Sequence, residues 1–232
     1  MKPNPGTRPL RILLLTGLLL CGRAIPSDGS GYPNGLMLNM DLARVQDGLV
    51  PNAGLYPLHV PLGDLGIETI NHESILLLKN ELGLDIPHSS LLEPDGSEWI
   101  VSVRVAALSD GMVLSQANDV HGYAIYLKNG AAHAVVRTGG SVFLLKETPE
   151  SGITDCRKDW VSIELRIKPD MALLTLNRKR AAIALLDGPL EGEDMRIRLG
   201  NHRTPPAIMQ HIPGAPSTGF SGGISSLKIW RQ

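Results

Sequence analysis

The sequence predicts an all-β fold of two packed antiparallel sheets. Three observations predict it. Short apolar runs alternate with polar residues at a period of two, most clearly over residues 99–105 and 161–167. Turn residues separate those runs, the 232-residue chain holding 25 glycines and 17 prolines. No stretch carries apolar residues at helical spacing over the length of a long helix. The nearest, residues 75–83, fits a short helix or a strand equally well by length and apolar content.

The elements follow in chain order. Residues 1–24 read as a secretory signal peptide, with Lys2, Arg8 and Arg11 ahead of a short apolar core at 12–20. Gly22 and Ala24 are the small residues of a cleavage site after Ala24. The apolar run falls short of the roughly 20 residues that a bilayer-spanning helix needs. A lipoprotein reading of Cys21 is disfavoured because Leu20, not a small residue, precedes it. Residues 25–35 are a flexible leader rich in turn residues, and 36–232 form the domain.

Within the domain, Trp99, Val101, Val103 and Val105 share one face of a strand. Residues 123–127 and 132–137 flank Lys128-Asn129-Gly130 and read as a hairpin. Val161, Ile163, Leu165 and Ile167 point inward, while Ser162, Glu164 and Arg166 point outward. Turns at Pro169-Asp170 and Asn177-Arg178-Lys179 extend that strand into a three-strand meander ending near Leu186. Residues 195–199 make a further strand. The glycine pair Gly222-Gly223 then releases a last strand with apolar Ile224, Leu227 and Ile229, which is expected to close the fold.

Composition narrows the function. Loss of residues 1–24 would leave 208 residues and remove four basic and no acidic groups, moving the formal charge from −1 to −5. That length suits one sandwich domain. A mildly acidic chain without a basic cluster argues against nucleic acid and against an anionic membrane surface. Cys156 would be the only cysteine, so no intramolecular disulfide could form. Arg157 and Lys158 beside it could favour a thiolate, but an incidental thiol is the simpler expectation. His59, His72, His88, His121, His133, His202 and His211 are scattered and form no close metal-ligand pair.

Three further segments carry a specific pattern. One is Leu84-Asp85-Ile86-Pro87-His88-Ser89-Ser90-Leu91-Leu92-Glu93-Pro94 before the strand from Trp99. Another is 111–117 followed by Gly122-Tyr123-Ala124-Ile125-Tyr126-Leu127-Lys128-Asn129-Gly130. The last is Asp159-Trp160-Val161-Ser162 opening the meander. Their order resembles that of a laminin G-like domain, a jelly roll of the concanavalin A-like lectin and glucanase superfamily. The second segment is especially similar to modules appended to some bacterial sulfatases. The likeness covers about residues 36–231. It departs from the family at the closing strand, where Ser225 and Ser226 replace an acidic pair, and at the Trp160 strand, which lacks histidine.

The resemblance implies a secreted, periplasmic or cell-surface binding module without catalysis, for a glycan such as a polysaccharide or for an extracellular protein. It implies calcium, with Asn80 and Glu81 as the metal candidates and Asp41 and Asn52 nearer the start. The expected ligand rim is the loop bearing His202, Arg203, Gln210 and His211, facing Asn118, Asp119 and His121. Trp99, Trp160 and Trp230 sit at strand positions and are expected in the core, leaving Tyr32, Tyr56 and Phe220 for exposed contacts.

Two alternatives stand beside this reading. One is a glycoside hydrolase or lyase relative using Glu191 and Glu193, which would share a sheet face if the segment were extended. The other is a structural cell-surface interaction domain without a small ligand. No Gly-x-Ser-x-Gly elbow or phosphate-binding glycine loop is present, and Cys156 lacks a Cys-x-Pro-x-Arg context for a sulfatase nucleophile.

Overall fold

A computed structural model of the chain describes residues 35–79, 82–147, 154–200, 207–210, 212, 214–216 and 219–232. The leading strands are β1 (Leu36–Asn39), β2 (Leu49–Pro51), β3 (His59–Pro61), β4 (Gly66–Ile70), β5 (Glu73–Leu78) and β6 (Gly83–Asp85). Then come β7 (Trp99–Ala107), β8 (Gly111–Ala117), β9 (Gly122–Lys128), β10 (Ala131–Thr138) and β11 (Ser141–Lys146). The meander is β12 (Val161–Ile167), β13 (Met171–Leu176) and β14 (Lys179–Leu185), and the chain ends with β15 (Ile197–Gly200), the short helix α1 (Ala207–Gln210) and β16 (Gly222–Arg231).

These strands form two large antiparallel sheets, as the alternating pattern predicts. The first has eight strands in the order β14-β13-β12-β7-β16-β5-β4, with β1 also paired to β16. The second has six in the order β11-β10-β9-β8-β15-β6. β2 and β3 make a separate ribbon. Among the described residues no helix is long and apolar enough to cross a membrane. The fold is the jelly-roll sandwich that the sequence predicts.

The period-two reading fixes which face is core. Val105, Val103 and Val101 stand opposite Val161, Ile163 and Leu165 across the β7–β12 pair. Ile163 and Leu165 stand opposite Leu176 and Leu174 on β13. All of these side chains are fully or almost fully buried in one cluster that both sheets share. The predicted hairpin is also present, with Lys128 opposite Ala131 around an Asn129-Gly130 turn whose residues both have positive φ. β16 does not cap an edge. It runs through the middle of the larger sheet, paired with β7 from Gly222↔Ala107 to Arg231↔Trp99.

Residues 73–78 resolve the helix-or-strand ambiguity as the strand β5. Four consecutive apolar residues hide the alternation, because both faces of this strand are covered. Leu76 and Leu78 join the central core. Ile75 is also buried, on the outer face, where its Cγ2 lies beside Gly223 together with the Trp160 ring.

A buried polar chain crosses the core. The Trp99 indole donates to the Tyr123 hydroxyl at 3.2 Å, and that hydroxyl donates to Oε1 of Gln116 at 2.8 Å. Nε2 of Gln116 donates to the Leu92 carbonyl at 2.6 Å and reaches the Met195 carbonyl at 3.4 Å. The side chain thus ties the loop before β7 and the start of the β15 region to β8.

Cys156 is fully buried, so its basic neighbours do not activate it. Burial, reinforced by the Glu147 and Asp155 carboxylates, pushes its thiol from 9.0 up to about 12. Burial likewise raises Tyr126 from 10.0 to about 12 and raises Tyr123 further. At alkaline pH the unfolded chain sheds these protons while the native chain keeps them. The stability that depends on them is full below the unfolded thiol value of 9.0 and is lost as pH rises toward 12. Urea midpoints should fall between about pH 7.5 and about pH 10.5. A thiol reagent should label Cys156 only in the unfolded protein.

Candidate functional site

The two outer sheet faces differ. On the six-stranded sheet, Met112, Ala124, Tyr126 and Val135 are covered by Ile208, Met209 and Ile212 in a second apolar cluster. α1 and the residues after it therefore close that part of the face. On the eight-stranded sheet, the outer face opens into a cleft of about 500 Å³. That volume lies within the range of about 300–1,000 Å³ usual for small-molecule sites.

The cleft arises from how the strands share β16. This ten-residue strand has β7 along one edge. Two short strands divide the other edge, β5 pairing up to Ile224↔Leu76 and β1 pairing from Asn39↔Lys228. Between them, Ser225 and Ser226 have no strand partner on that side among the described residues. A β-bulge falls at the same place, between Ile224 and Ser226 in the pairing with β7. A bulge re-aims side chains and kinks the strand. Here both serines line the cleft.

The walls are polar and the remaining lining is partly apolar. Asn39 and Asp41 contribute from the β1 side, Glu73 from β5 and Arg104 from the outer face of β7. Met40 and Leu42 are buried side chains of the lining. Arg104 is held from three directions. Its Nη1 donates to Glu73 Oε2 at 2.6 Å and to Ser225 Oγ at 3.4 Å, and its guanidinium carbon lies 5.2 Å from the centre of the Trp160 ring. Stacking on an aromatic face fixes the plane of the guanidinium fork. On the far wall, Asp41 Oδ2 pairs with Arg44 Nε at 3.3 Å.

His72 closes one end of the cleft from the β4–β5 turn. Ile70 pairs with Glu73, leaving Asn71 and His72 as a two-residue hairpin loop with φ of 51° and 67°. Such a turn favours glycine at its second position, and histidine there costs backbone energy. His72→Gly is expected to raise stability by about 0.5–1 kcal/mol by relieving that strain. Chemical unfolding checks it, and ligand affinity measured on the same variant shows what the side chain contributes.

The sequence-predicted rim is placed in part. Asn118, Asp119 and His121 sit together in the β8–β9 turn. The Asn118 amide is committed to that turn: Oδ1 accepts from the backbone N–H of Val120 and of His121 at 2.9 and 2.8 Å. Its Nδ2 donates to the Glu193 carbonyl at 3.2 Å. Asp119 is exposed, and Nδ1 of His121 is buried without a hydrogen bond among the described residues. Gln210 is exposed at the end of α1. His202, Arg203 and His211 lie outside the described residues, as do the calcium candidates Asn80 and Glu81 and residues 25–34 of the leader, with Tyr32.

The other expected residues are accounted for by their bonds. Oδ1 of Asn52 accepts from the backbone of Asn39 and Gly54 at 2.7 and 2.8 Å, and Nδ2 donates to the Met37 and Tyr56 carbonyls at 3.0 and 2.8 Å. Its amide is a structural brace, and its oxygen is already used. Among the described residues no three His, Cys, Asp or Glu side chains gather as a metal site. Glu191 makes an isolated bridge to Asp95, and 192–194 form no strand, so Glu191 and Glu193 do not stand as alternate residues of a sheet. The neighbouring Glu93 is a tether. Burial opposes its ionisation, but His88 Nε2 at 2.9 Å and the Met195 N–H at 3.2 Å hold its carboxyl below the usual range.

Two aromatic expectations change. Trp99 is core, and Trp230 is also buried. Trp160 is only half-buried and stacks on Arg104 over the outer face. Phe220, expected in a loop, is fully buried in the core. Arg104, Glu73 and His72 are cleft groups that the sequence does not single out. Outward polarity at Arg104 is readable from the strand period. Its partners Glu73 and Ser225, however, lie 31 and 121 residues away along the chain.

No protein-family model matches the chain, and no curated protein matches it by sequence. Solved structures do match its shape. It is similar to the binding domain of Paraclostridial Mosquitocidal Protein 1 at TM-score 0.63 and 11% identity, over 85% of this chain and 49% of that one. It is similar to Domain 4 of AbnA, a GH43 extracellular arabinanase from Geobacillus stearothermophilus solved in complex with arabinotriose, at TM-score 0.59 and 12% identity, over 85% and 92%. It is similar to domains LG4-5 of the mouse laminin alpha1 chain at TM-score 0.52 and 13% identity, over 68% and 40%. The chain thus spans about half the length of the toxin binding domain. At these identities the likeness is one of fold alone, an antiparallel β-sandwich.

Proposed function

We propose that the chain is an extracellular, non-catalytic binding module whose ligand is a glycan. The observation that carries the reading is the cleft at the divided edge of β16. Paired polar groups and two serine hydroxyls converge there on an open sheet face. Secretion through residues 1–24, with a periplasmic or cell-surface destination, belongs to the same proposal. The resemblance that the sequence alone suggests to modules appended to some bacterial sulfatases is a further reason to look among extracellular polysaccharides. So is the arabinotriose bound to the arabinanase domain of similar fold. The β8–β9 rim with Asn118, Asp119 and His121, together with Gln210, is the second surface to follow in any titration. Calcium near Asn80 and Glu81 remains part of the proposal, as a stabiliser and not as a reagent.

An extracellular protein partner is the second reading, favoured by a different observation. Ile183 and Leu185 are 53% and 76% exposed on β14, the end strand of the larger sheet. Exposed apolar side chains on a sheet edge suit a protein contact.

Thermal unfolding tests both. A ligand that binds only the native state raises the melting temperature by mass action. A rise with polysaccharide supports the glycan reading. A fall with chelator, reversed by calcium, supports the metal. No response to any polysaccharide contradicts the glycan reading and leaves the protein partner.

A further inference from the structure

From the charge arrangement of the cleft we infer that its ligand is a neutral saccharide and not an acidic one, an inference that rests on the glycan reading. Each carboxylate in the walls already has its own guanidinium: Glu73 has Arg104 at 2.6 Å, and Asp41 has Arg44 at 3.3 Å. An incoming carboxylate or sulfate on the remaining Arg104 N–H groups would stand beside Glu73, anion next to anion, on a guanidinium whose charge Glu73 already compensates. A cationic ligand would meet the mirror problem, since both carboxylates are already compensated.

What the paired groups leave over suits hydroxyls. A carboxylate oxygen accepts more than one hydrogen bond, so Glu73 and Asp41 can hold their guanidiniums and still accept O–H donors. Arg104 engages Glu73 and Ser225 through Nη1, and its fork carries further N–H donors on the other nitrogens. Ser225 and Ser226 can both donate and accept. A sugar hydroxyl likewise does both, which is the match. Trp160 and Glu73 hold the guanidinium in place before a ligand arrives, so little ordering remains to be done on binding.

The pairing also predicts how to change the preference. Glu73→Gln keeps the size of the side chain, removes the competing anion and leaves Arg104 with uncompensated charge. Glu73 is half-exposed, so the variant is expected to fold. Calorimetric titration of the full chain would compare neutral trisaccharides (arabinotriose, xylotriose, cellotriose, maltotriose) with acidic probes (trigalacturonate, sialyllactose, a heparin-derived tetrasaccharide). The expected result is binding of a neutral member by the wild type, weakened about tenfold in Glu73→Gln through loss of a hydrogen bond to a charged acceptor. The variant should in turn gain affinity for the acidic probes, and the gain should fade with salt. Preferential binding of an acidic probe by the wild type would overturn the inference. So would neutral binding that neither Glu73→Gln nor Asp41→Asn alters, although the glycan reading would survive it. Silence of the wild type toward both classes would overturn the inference and the glycan reading together.

Discussion

Gln116→Leu is expected to destabilise the protein by about 2–4 kcal/mol, because it strands several buried polar groups at once. Gln116 is fully buried and joins Tyr123, Leu92 and Met195. A leucine of similar volume would fill the space but leave the Tyr123 hydroxyl without its acceptor. The carbonyls of Leu92 and Met195 would lose their donor. An unpaired buried group costs about 1–3 kcal/mol, whereas the net value of the bond itself is smaller. Tyr123→Phe removes the stranded hydroxyl but leaves the Trp99 indole N–H without its acceptor, so the double variant is expected to lose less than the sum of the two single variants. Urea unfolding of the two single variants and the double variant measures this. Additive losses would mean that the hydrogen-bond chain is not a unit.

Gly222→Ala is expected to cost about 2–4 kcal/mol, from a strained backbone and a close contact together. Gly222 has φ of 154°. A Cβ there would overlap the Ala106 carbonyl oxygen and lie 2.6 Å from the buried Phe220 ring. The carbonyl belongs to the neighbouring strand and cannot retreat without breaking the β7–β16 ladder. Gly188→Ala is the control, because a Cβ at that position meets nothing within 4 Å. Gly223 is tight for a different reason: a Cβ there would lie 2.8 Å from Ile75 and 3.0 Å from Trp160. The glycine pair is therefore the place where β16 slides past β7 on one side and under the Trp160 ring on the other.

The sandwich is readable because its strands obey a local rule. Where one face is core and the other is wet, as on β7 and β12, alternation names both the strand and its buried side chains. The rule fades where both faces are covered. Ile75-Leu76-Leu77-Leu78 cannot be told from a helix by pattern, since Trp160 supplies a cover that lies far away in sequence. Trp160 itself defies the core expectation for a related reason, as strand position does not say which face a flanking ring will choose. Phe220 looks like a loop aromatic because it precedes a glycine pair, yet it packs inward at full burial.

The cleft is least legible. Ser225 and Ser226 are noticeable in the sequence only as a departure from an acidic pair. That they face open space depends on β1 and β5 dividing one edge of β16, a fact of topology and not of local pattern. Asp41 and Asn52 both look like oxygen ligands. The folded chain gives them different tasks, using Asn52 to brace β1 against residues 54–56 and leaving Asp41 at the cleft wall.

On the proposed function, ligand enters the cleft at the divided edge of β16. Backbone amide resonances of the isotope-labelled protein, followed during titration with the same neutral trisaccharides, test it most directly. Saturable shifts are expected at Ser225, Ser226, Glu73 and Arg104, with Asn118, Asp119 and His121 unmoved. Shifts centred on the β8–β9 rim, or no shifts at all, would contradict it.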